Sequence, residues 1–382
     1  MKKIICILLL GCLLLSISAC NIPAKNNTPD HLPQEFDTAP AINGLTVTVN
    51  GRSLSEVYKE GETYYVCLGE LLAILGGQLA TDAAIAEPYT ATLKLGKSTY
   101  TISNTETVLK EKDAASHPLV FEPIYDGEDW YVPMEPIMSL FDLHLLEDGE
   151  NNQRYYTYFP TKEDVVAGKR IPILMYHAVS DEPWGIAELF VSPGELEKQL
   201  KYLQDNGYTT ITFEDFDRLD SIEKPVMLTF DDGYDDNYTQ LFPLLKKYNA
   251  KATVFVITGE MGKEHYLSEK QVKEMSDSGL VSIQSHTVTH PYLSDLNAEQ
   301  LEKELSLSKL TLTRIIGKEP FVLCYPTGKY SALSLEKTAK HFAFGLLMNG
   351  GMYTTGTQDI YQIPRFYISR NTDIYTYAAK LR

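Results

Sequence analysis

Cysteine is scarce in this chain of 382 residues, and its five cysteines include no Cys-x-x-Cys pair. Cys6, Cys12 and Cys20 fall within the first twenty residues, and the other two are Cys67 and Cys324. This spacing argues against a thiolate zinc site. Because Cys67 and Cys324 lie in different predicted domains, we also expect no structural disulfide.

Positive charge is also in short supply. The chain has 34 Lys and Arg against 51 Asp and Glu, which gives a formal net charge of −17 at pH 7. This balance disfavours nucleic acid and anionic polymers as partners, because little would offset their repulsion. A neutral glycan is compatible with it. We therefore expect no nucleic-acid partner.

After residue 20 the sequence has no apolar run long enough to cross a bilayer. Before that point, Lys2 and Lys3 precede an apolar segment over residues 4–16, and small residues lead to Cys20. This pattern is typical of a secretory signal, and its last four residues resemble a bacterial lipobox, in which the cysteine is lipidated. An uncleaved anchor helix is the alternative, although the run is short for a membrane span.

We therefore predict that residues 1–20 are a lipoprotein signal peptide and lipobox, with Cys20 as the lipidation site. Residues 21–40 are rich in proline, asparagine and aspartate and predict a flexible stalk. The mature protein would be lipid-anchored to the cell membrane at the extracytoplasmic face. We expect it to be a monomer.

The length predicts two further domains, and the first of them, over residues 41–160, contains an internal repeat. Residues 60–66 lead into a helical pattern over 68–75, and residues 126–132 lead into a similar pattern over 134–141. Each unit is a turn, a short strand and a short amphipathic helix. The repeat predicts a small α+β domain.

Between the two units, residues 89–95 and 98–102 predict a hairpin around Gly96. The whole pattern resembles the small domain at the N-terminus of copper amine oxidases, and no His/Cys cluster here implies copper. Tyr64, Trp130 and Tyr131 allow two interpretations, an exposed platform for glycan or packing in the core. We predict the core, because alternating aromatics on a strand normally face it.

An apolar run that ends in two carboxylates organises the second half of the chain. Residues 226–230 are followed at once by Asp231, Asp232 and Gly233. Such a run predicts a buried parallel strand, and chemistry in α/β folds lies at the carboxyl ends of strands. Two carboxylates so close favour a nearby cation. The alternative is an ordinary Asp-Asp-Gly turn after a strand.

A second apolar run, over residues 281–285, ends in His286, and His290 follows four residues later. β-Branched residues between them and Pro291 after them favour a turn at a strand end rather than a helix. Two histidines and one carboxylate form a common catalytic zinc set. The alternative is an incidental pair of histidines.

Residues 229–233 and 285–290 resemble the first two signature motifs of the polysaccharide deacetylase family, carbohydrate esterase family 4. The resemblance extends over residues 171–374. It implies that Asp231 is the general base. It also implies that Asp232, His286 and His290 bind a divalent metal. Zinc is the default, and nickel, cobalt or manganese would also suit these ligands.

A polar linker over residues 161–169 precedes alternating strand and helix patterns that continue through residues 170–382. Repeated β/α units of this kind predict a parallel barrel. The family has a distorted (β/α) barrel. We therefore predict an α/β fold, with a distorted (β/α) catalytic barrel after the small α+β domain.

Two departures from the common family pattern concern an arginine and a histidine. The third motif, over residues 321–328, lacks its usual arginine, and no histidine follows His341, which we expect to be exposed on a helix. We predict that Arg365 replaces the missing arginine and that His177 replaces the missing acid. In a closed barrel the strand before His177 would lie beside the last strand.

The start of the barrel also resembles a circularly permuted branch of the family that includes poly-N-acetylglucosamine deacetylases, in which the leaving-group histidine lies in this motif. The alternatives are that His177 is a buried structural residue and that Arg365 is a surface or structural one. The backbone N–H of Tyr325, just before Pro326, is the predicted donor to the oxyanion.

These inferences predict a metal-dependent hydrolase that removes N-acetyl groups from an extracellular polysaccharide containing N-acetylglucosamine. Its partners would be an N-acetylated glycan polymer and, through the lipid, a membrane. Two alternatives remain open. One is an esterase that removes O-acetyl groups, and the other is a non-catalytic surface lipoprotein that binds glycan.

Overall fold

The computed structural model describes residues 45–382, except positions 56, 61, 83–87, 97, 113–115, 120, 121, 161 and 163. The predicted signal peptide, the lipidation site Cys20 and the stalk all lie outside the described residues. Within the described part of the chain, no helix is both long and apolar enough to cross a membrane.

The N-terminal region, residues 45–160, consists of short strands and two helices. They are β1 (Thr46–Val49), β2 (Arg52–Ser53), β3 (Val57–Glu60), β4 (Thr63–Cys67), α1 (Leu68–Leu75), β5 (Gln78–Thr81), β6 (Thr90–Leu95), β7 (Ser98–Ser103), β8 (Val108–Glu111), β9 (Ser116–Pro118), β10 (Ile124–Tyr125), β11 (Trp130–Pro133), α2 (Met134–Leu140), β12 (His144–Asp148) and β13 (Gln153–Thr157). The strands form sheets in the orders β12-β13-β1-β2, β10-β11-β4-β3 and β5-β6-β7-β8-β9.

The internal repeat is present in this region. Strand β4 runs directly into α1, β11 runs directly into α2, and the two strands pair with each other in antiparallel register. The hairpin is present as well, because Leu95 of β6 lies opposite Ser98 of β7. Gly96 in its two-residue turn has φ 57°, the left-handed conformation that tight hairpin turns require.

The aromatic residues of the repeat pack inward. Trp130 is fully buried and stacks on Tyr125 with ring centroids 5.0 Å apart, and Tyr131 is also buried. Tyr64 is half-buried, and the cationic groups of Lys59 and Arg154 each lie 5.4 Å from its ring centre. The prediction of core packing is therefore confirmed, and these rings do not form a glycan platform.

The barrel region contains the remaining strands and helices. They are β14 (Arg170–Ile171), β15 (Ile173–Tyr176), β16 (Ala178–Val179), β17 (Phe190–Val191), α3 (Pro193–Asp205), β18 (Thr209–Ile211), β19 (Pro225–Phe230), α4 (Phe242–Tyr248), β20 (Ala252–Val256), α5 (Glu269–Asp277), β21 (Val281–Ser285), α6 (Ala298–Ile316), β22 (Val322–Cys324), α7 (Ala332–His341), β23 (Phe344–Leu346), β24 (Tyr353–Thr354), β25 (Phe366–Tyr367) and α8 (Ile374–Lys380).

The main sheet is parallel and runs in the order β23-β22-β21-β20-β19-β15-β25, with β18 beside β19. The two edge strands of this sheet are β23 and β25. The chain just before β25 pairs with β23, because Ile363 forms a parallel bridge with Leu346. The Ile363 N–H donates to the Gly345 carbonyl at 2.9 Å, and its carbonyl accepts from the Leu347 N–H at 2.8 Å. The distorted barrel is confirmed, with the strand before His177 beside the last strand.

The helix α3 shows how local sequence fixes the outer layer of the barrel. Its N-terminus is capped by the Ser192 hydroxyl, which accepts from the Glu195 N–H at 3.1 Å. Leu196, Leu200 and Leu203 lie on the same face of the helix, and all three are buried against the sheet. Burial of each leucine stabilises the fold by roughly 2 kcal/mol.

The N-terminal region packs against the barrel within one compact unit. Phe159 stacks on Phe321 with ring centroids 4.8 Å apart, and Arg314 contacts both carboxylate oxygens of Asp148 at 2.6 and 2.7 Å. Phe321 immediately precedes β22, so this stack lies at the amino end of that strand. The candidate catalytic residues follow the opposite, carboxyl ends.

Candidate active site

The two adjacent aspartates occupy the turn that ends β19. Asp232 has φ 73° and Gly233 has φ 75°, so two successive left-handed residues redirect the chain. A Cβ at Gly233 would make a tight contact of 3.2 Å with the Val256 Cα, and the left-handed conformation of this residue also favours glycine. Asp231 and Asp232 are both buried, and each meets a different set of partners.

Asp232 meets the two histidines that follow β21. Its Oδ1 atom lies 3.5 Å from His286 Nε2 and 3.6 Å from His290 Nε2, and the three ligand atoms are all within 4.8 Å of one another. His286 Nδ1 donates to the Cys324 carbonyl at 2.8 Å. Because this bond fixes a proton on Nδ1, Nε2 is the His286 atom that can bind a metal. The donor set fits one divalent cation.

Asp232 and His290 have the protonation states that bind a metal, whereas His286 would release a proton on binding, because Cys324 and Asp232 outweigh its burial and raise its pKa. Burial opposes ionisation of Asp232, but the neighbouring His286 imidazole outweighs it and holds the pKa of the carboxyl below its usual range. Burial, followed by repulsion from His286, lowers the pKa of His290 to about 4. At neutral pH His290 is therefore a neutral imidazole, which is the form that binds metal.

A second potential ligand group, formed by Asp231, His286 and Cys324, fits a cation less well. Both carboxylate oxygens of Asp231 accept hydrogen bonds from Arg365. Burial raises the pKa of the Cys324 thiol, so the thiolate that a metal needs is disfavoured. The set containing Asp232 and both histidines is the better site.

Arg365 is fully buried and uses its guanidinium to hold Asp231. Its Nη1 and Nη2 atoms donate to Asp231 Oδ1 and Oδ2 at 2.7 and 2.8 Å. The remaining contacts are to the Leu347 carbonyl, the Thr229 hydroxyl and the Cys324 sulfur, at 3.0, 3.0 and 3.1 Å. Burial opposes ionisation of Asp231, yet Arg365 holds the pKa of its carboxyl below the usual value. The predicted arginine is therefore placed at this carboxylate.

His177 follows β15 and is buried at the same end of the barrel. The Asp231 N–H donates to the Tyr176 carbonyl at 3.0 Å, which ties the two strand ends together. Burial holds the pKa of His177 below its usual value, and the charges of Asp231 and Asp232 offset this lowering only in part. Its Nδ1 atom is buried with no hydrogen-bond partner among the described residues. The structure brings His177 to the mouth that contains both aspartates.

Two predicted features differ in the structure. The Tyr325 N–H donates to the Leu346 carbonyl at 3.1 Å, between β22 and β23, so the assignment of this N–H to the oxyanion is contradicted. The side chain of His341 is only 17% exposed, and its Nε2 atom lies 2.9 Å from Glu302 Oε1. The expectation that His341 is exposed was wrong, because the helix α6 beside α7 supplies that carboxylate.

Backbone strain is concentrated at the mouth of the barrel. Five non-glycine residues in the loops after β19, β20, β21 and β22 have φ between 55° and 73°. They are Asp232, His265, Thr287, His290 and Thr327. Each such conformation costs about 1–3 kcal/mol and persists where function needs a particular geometry. Two of the five are candidate metal ligands.

Thr229 and Cys324 were missed as contributors to the site by sequence reasoning. Thr229 lies two residues before Asp231, so the alternation of side chains along a strand could have placed both on one face. Cys324 is the last residue of β22, and Asp231 is the first residue after β19. Their common location at the carboxyl ends of parallel strands was the signal that could have placed Cys324 at the site. Both side chains contact Arg365 and thus help to orient the carboxylate.

Comparison with known proteins identifies the family. Residues 218–342 match the family model described as polysaccharide deacetylase. YxkH of Bacillus subtilis, whose name places it among the polysaccharide deacetylases, is 37% identical over 207 residues, which cover 52% of this chain and 72% of that protein. The chain belongs to the polysaccharide deacetylase family and is a hydrolase of that class.

Other relatives extend the comparison. A poly-β-1,6-N-acetyl-D-glucosamine N-deacetylase of Staphylococcus aureus is 30% identical over 47% of this chain and 68% of its own. The structure of a Streptococcus pyogenes deacetylase in complex with acetate is 32% identical, with a TM-score of 0.53, over 56% of this chain and 99% of that one. A Bacillus cereus polysaccharide deacetylase is 26% identical, with a TM-score of 0.54, over 80% of this chain and 99% of its own. The last match is longer than the barrel region alone.

Proposed function

We propose that this protein is a metal-dependent N-deacetylase that acts outside the cell on a polysaccharide containing N-acetylglucosamine. One observation carries the proposal. A carboxylate held by Arg365 lies beside a separate Asp–His–His cluster, and a buried histidine lies at the same mouth. The names of the Staphylococcus aureus relatives support N-acetylglucosamine as the sugar.

The proposed division of work follows from the environments of the two aspartates. When bound to Asp232, His286 and His290, a divalent cation would polarise the acetamide carbonyl and make water more acidic. Asp231 accepts the proton of the attacking water, and Arg365 keeps this carboxylate ionised and correctly oriented. Because a guanidinium that binds both oxygens fixes the plane of the carboxylate, Asp231 is pre-oriented for that transfer.

His177 completes the proposed reaction by protonating the departing nitrogen. Cleavage of the C–N bond then gives acetate and a free amine on the sugar. An amine is a poor leaving group without a proton, whereas an alkoxide needs the proton less. The Nδ1 atom of His177, which has no partner within the described structure, favours a role in proton transfer over a structural role.

The cellular setting belongs to the same proposal and depends on the sequence. The lipobox-like segment before Cys20 supports a lipid anchor at the extracytoplasmic face of the cell membrane. Zinc is the proposed metal, since two imidazoles and a carboxylate match catalytic zinc sites. The substrate of the protein would be a soluble polymer or a cell-wall strand at the outer face of the membrane.

Acetate release from a panel of polymers tests the proposal. The purified chain would be incubated with N-acetylated polymers, such as β-1,4- and β-1,6-linked N-acetylglucosamine, and with O-acetylated xylan. We expect acetate from an N-acetylated polymer, and its loss on chelation. Release from O-acetylated polymers alone would instead make the protein an esterase, and no release from any polymer would contradict catalysis on these substrates.

A further inference from the structure

Exposed apolar side chains surround the mouth of the barrel. They lie in loops that follow the carboxyl ends of β16, β21, β22 and β23. They are Trp184, Ile186, Tyr292, Tyr330 and Met348. Large apolar side chains that share one exposed rim commonly mark a binding surface. Trp184 differs from the others in how firmly it is held.

Trp184 is fixed by aromatic contacts on several sides and is still 39% exposed. One face stacks on His265, with ring centroids 4.2 Å apart and an interplanar angle of 6°. Tyr234 and Phe190 contact it edge to face, at 4.8 and 5.2 Å. An indole held in this way loses little conformational freedom when a ligand covers its exposed surface.

His265 is the unexplained member of the strained group at the mouth. Its φ of 69° places it with Asp232 and His290, although it does not belong to the candidate metal cluster. Its backbone is anchored by the Asp235 N–H, which donates to its carbonyl at 2.9 Å. The strained backbone therefore holds the imidazole flat against Trp184, as expected of a residue that shapes a ligand clamp.

A single aromatic ring links Trp184 to the loop that carries Asp232. Tyr234, whose ring centroid is 4.8 Å from that of Trp184, lies two residues after Asp232 in the chain. The exposed indole therefore lies beside the reacting centre rather than within it. The position suits the sugar next to the one that is cleaved.

We propose that Trp184, backed by His265, is a stacking platform for a neutral sugar ring adjacent to the N-acetylglucosamine unit that loses its acetyl group. The inference depends on the proposed function for the identity of the polymer. The C–H face of a sugar is apolar and suits an aromatic ring, and such a contact carries no charge that the acidic chain would repel.

Tryptophan fluorescence tests the platform without catalysis. The chain has two tryptophans, and Trp130 is fully buried, so a ligand in solution can change the emission of Trp184 directly. The full-length Asp231→Asn variant would be titrated with β-1,4- and β-1,6-linked pentamers of N-acetylglucosamine and with the monomer. We expect a saturable change with at least one pentamer and a much weaker response to the monomer.

Calorimetry on further variants of the same protein gives the decisive comparison. Trp184→Ala should weaken binding of the pentamer about tenfold, because most of the stacking area is lost, and Trp184→Phe should lose less. His265→Ala should also weaken binding by releasing the indole. Tyr375→Ala is the matched control, since Tyr375 is 84% exposed on α8. Circular dichroism confirms that each variant is folded.

Two results would overturn the platform. One is unchanged pentamer affinity in folded Trp184→Ala, and the other is an absence of any saturable response to both pentamers. Either could occur while acetate is still released, in which case the proposed function stands. Conversely, pentamer binding that depends on Trp184, in a protein that releases no acetate, would contradict the proposed function alone.

Discussion

Arg365 and Asp231 are 134 residues apart in sequence and form a buried ion pair in which both carboxylate oxygens are bound, at 2.7 and 2.8 Å. The pair joins the chain just before β25 to the chain just after β19. It explains how a carboxylate can be almost fully buried and still ionised. The two adjacent aspartates therefore have different partners, since Asp231 pairs with an arginine and Asp232 lies beside two histidines.

Replacement of Arg365 tests this pair. Arg365→Met should lower the free energy of unfolding by about 3–5 kcal/mol, because it leaves a buried carboxylate unpaired. Arg365→Lys should remain folded but lose about 100-fold or more in acetate release, since one ammonium cannot fix both oxygens. Urea denaturation and acetate assays check the two effects. The double variant Asp231→Asn, Arg365→Met should recover part of the stability, and no recovery would contradict the pairing.

Metal content tests whether Asp232 binds the metal while Asp231 does not. Asp232→Ala, His286→Ala and His290→Ala should each lose most of the bound metal, because each removes one of three ligands. Asp231→Asn is the matched control and should retain the metal while losing turnover by several orders of magnitude. Elemental analysis of the purified variants measures the metal. Full metal content in all three ligand variants would exclude this site.

The contact between Asp148 and Arg314 predicts how stability depends on pH. The hydrogen bonds from Arg314 lower the pKa of Asp148, so the folded value lies below the unfolded value of about 3.9. A depressed carboxyl pKa stabilises the fold above that unfolded value, and the contribution is lost as pH falls through the folded pKa. Thermal melts of Arg314→Ala should show a lower melting temperature than wild type at pH 6, and a smaller difference at about pH 2.

An equal difference between wild type and Arg314→Ala at both pH values would show that Asp148 does not supply the effect. The exposed pair Lys201–Asp205 gives a control, because its residues lie on the surface of α3, 63% and 53% exposed. Lys201→Ala should change the melting temperature little at either pH, as expected of a surface pair.

The role of His177 is tested by comparing two leaving groups. His177→Ala should lower amide hydrolysis about 100-fold or more, the scale of a positioned acid, and should impair hydrolysis of an activated ester much less. Metal content should stay unchanged. Steady-state kinetics on an N-acetylated oligomer and an aryl acetate measure both effects. Equal losses on the two substrates would indicate a structural histidine.

The sequence was sufficient for the parts of the site that lie in short local motifs. Asp231 and Asp232 directly follow one apolar run and His286 another, so their common position at the ends of parallel strands could be predicted. Arg365 could only be proposed, since its partner is remote in sequence and the pairing depends on how the barrel closes.

Other features depended on contacts that no local pattern encodes. The Tyr325 N–H is occupied because β23 lies beside β22, and the register of these strands is a tertiary property. The stack of Trp184 on His265 joins loops that follow two different strands, and left-handed conformation at a histidine has no sequence signature. The burial of Trp130 was predictable because large aromatic side chains on a strand normally pack in a core, whereas burial of all four residues of β11 depends on cover over both faces of that strand.

Simultaneous measurement of acetate and new amine tests whether this site performs N-deacetylation. Zinc-loaded wild-type protein would be incubated with a β-1,6-linked polymer of N-acetylglucosamine, and Asp231→Asn, equally loaded, would be the control. We expect acetate and primary amine in equal amounts from the wild type and almost none from Asp231→Asn. Acetate without amine, or equal rates from the two proteins, would contradict N-deacetylation by this site.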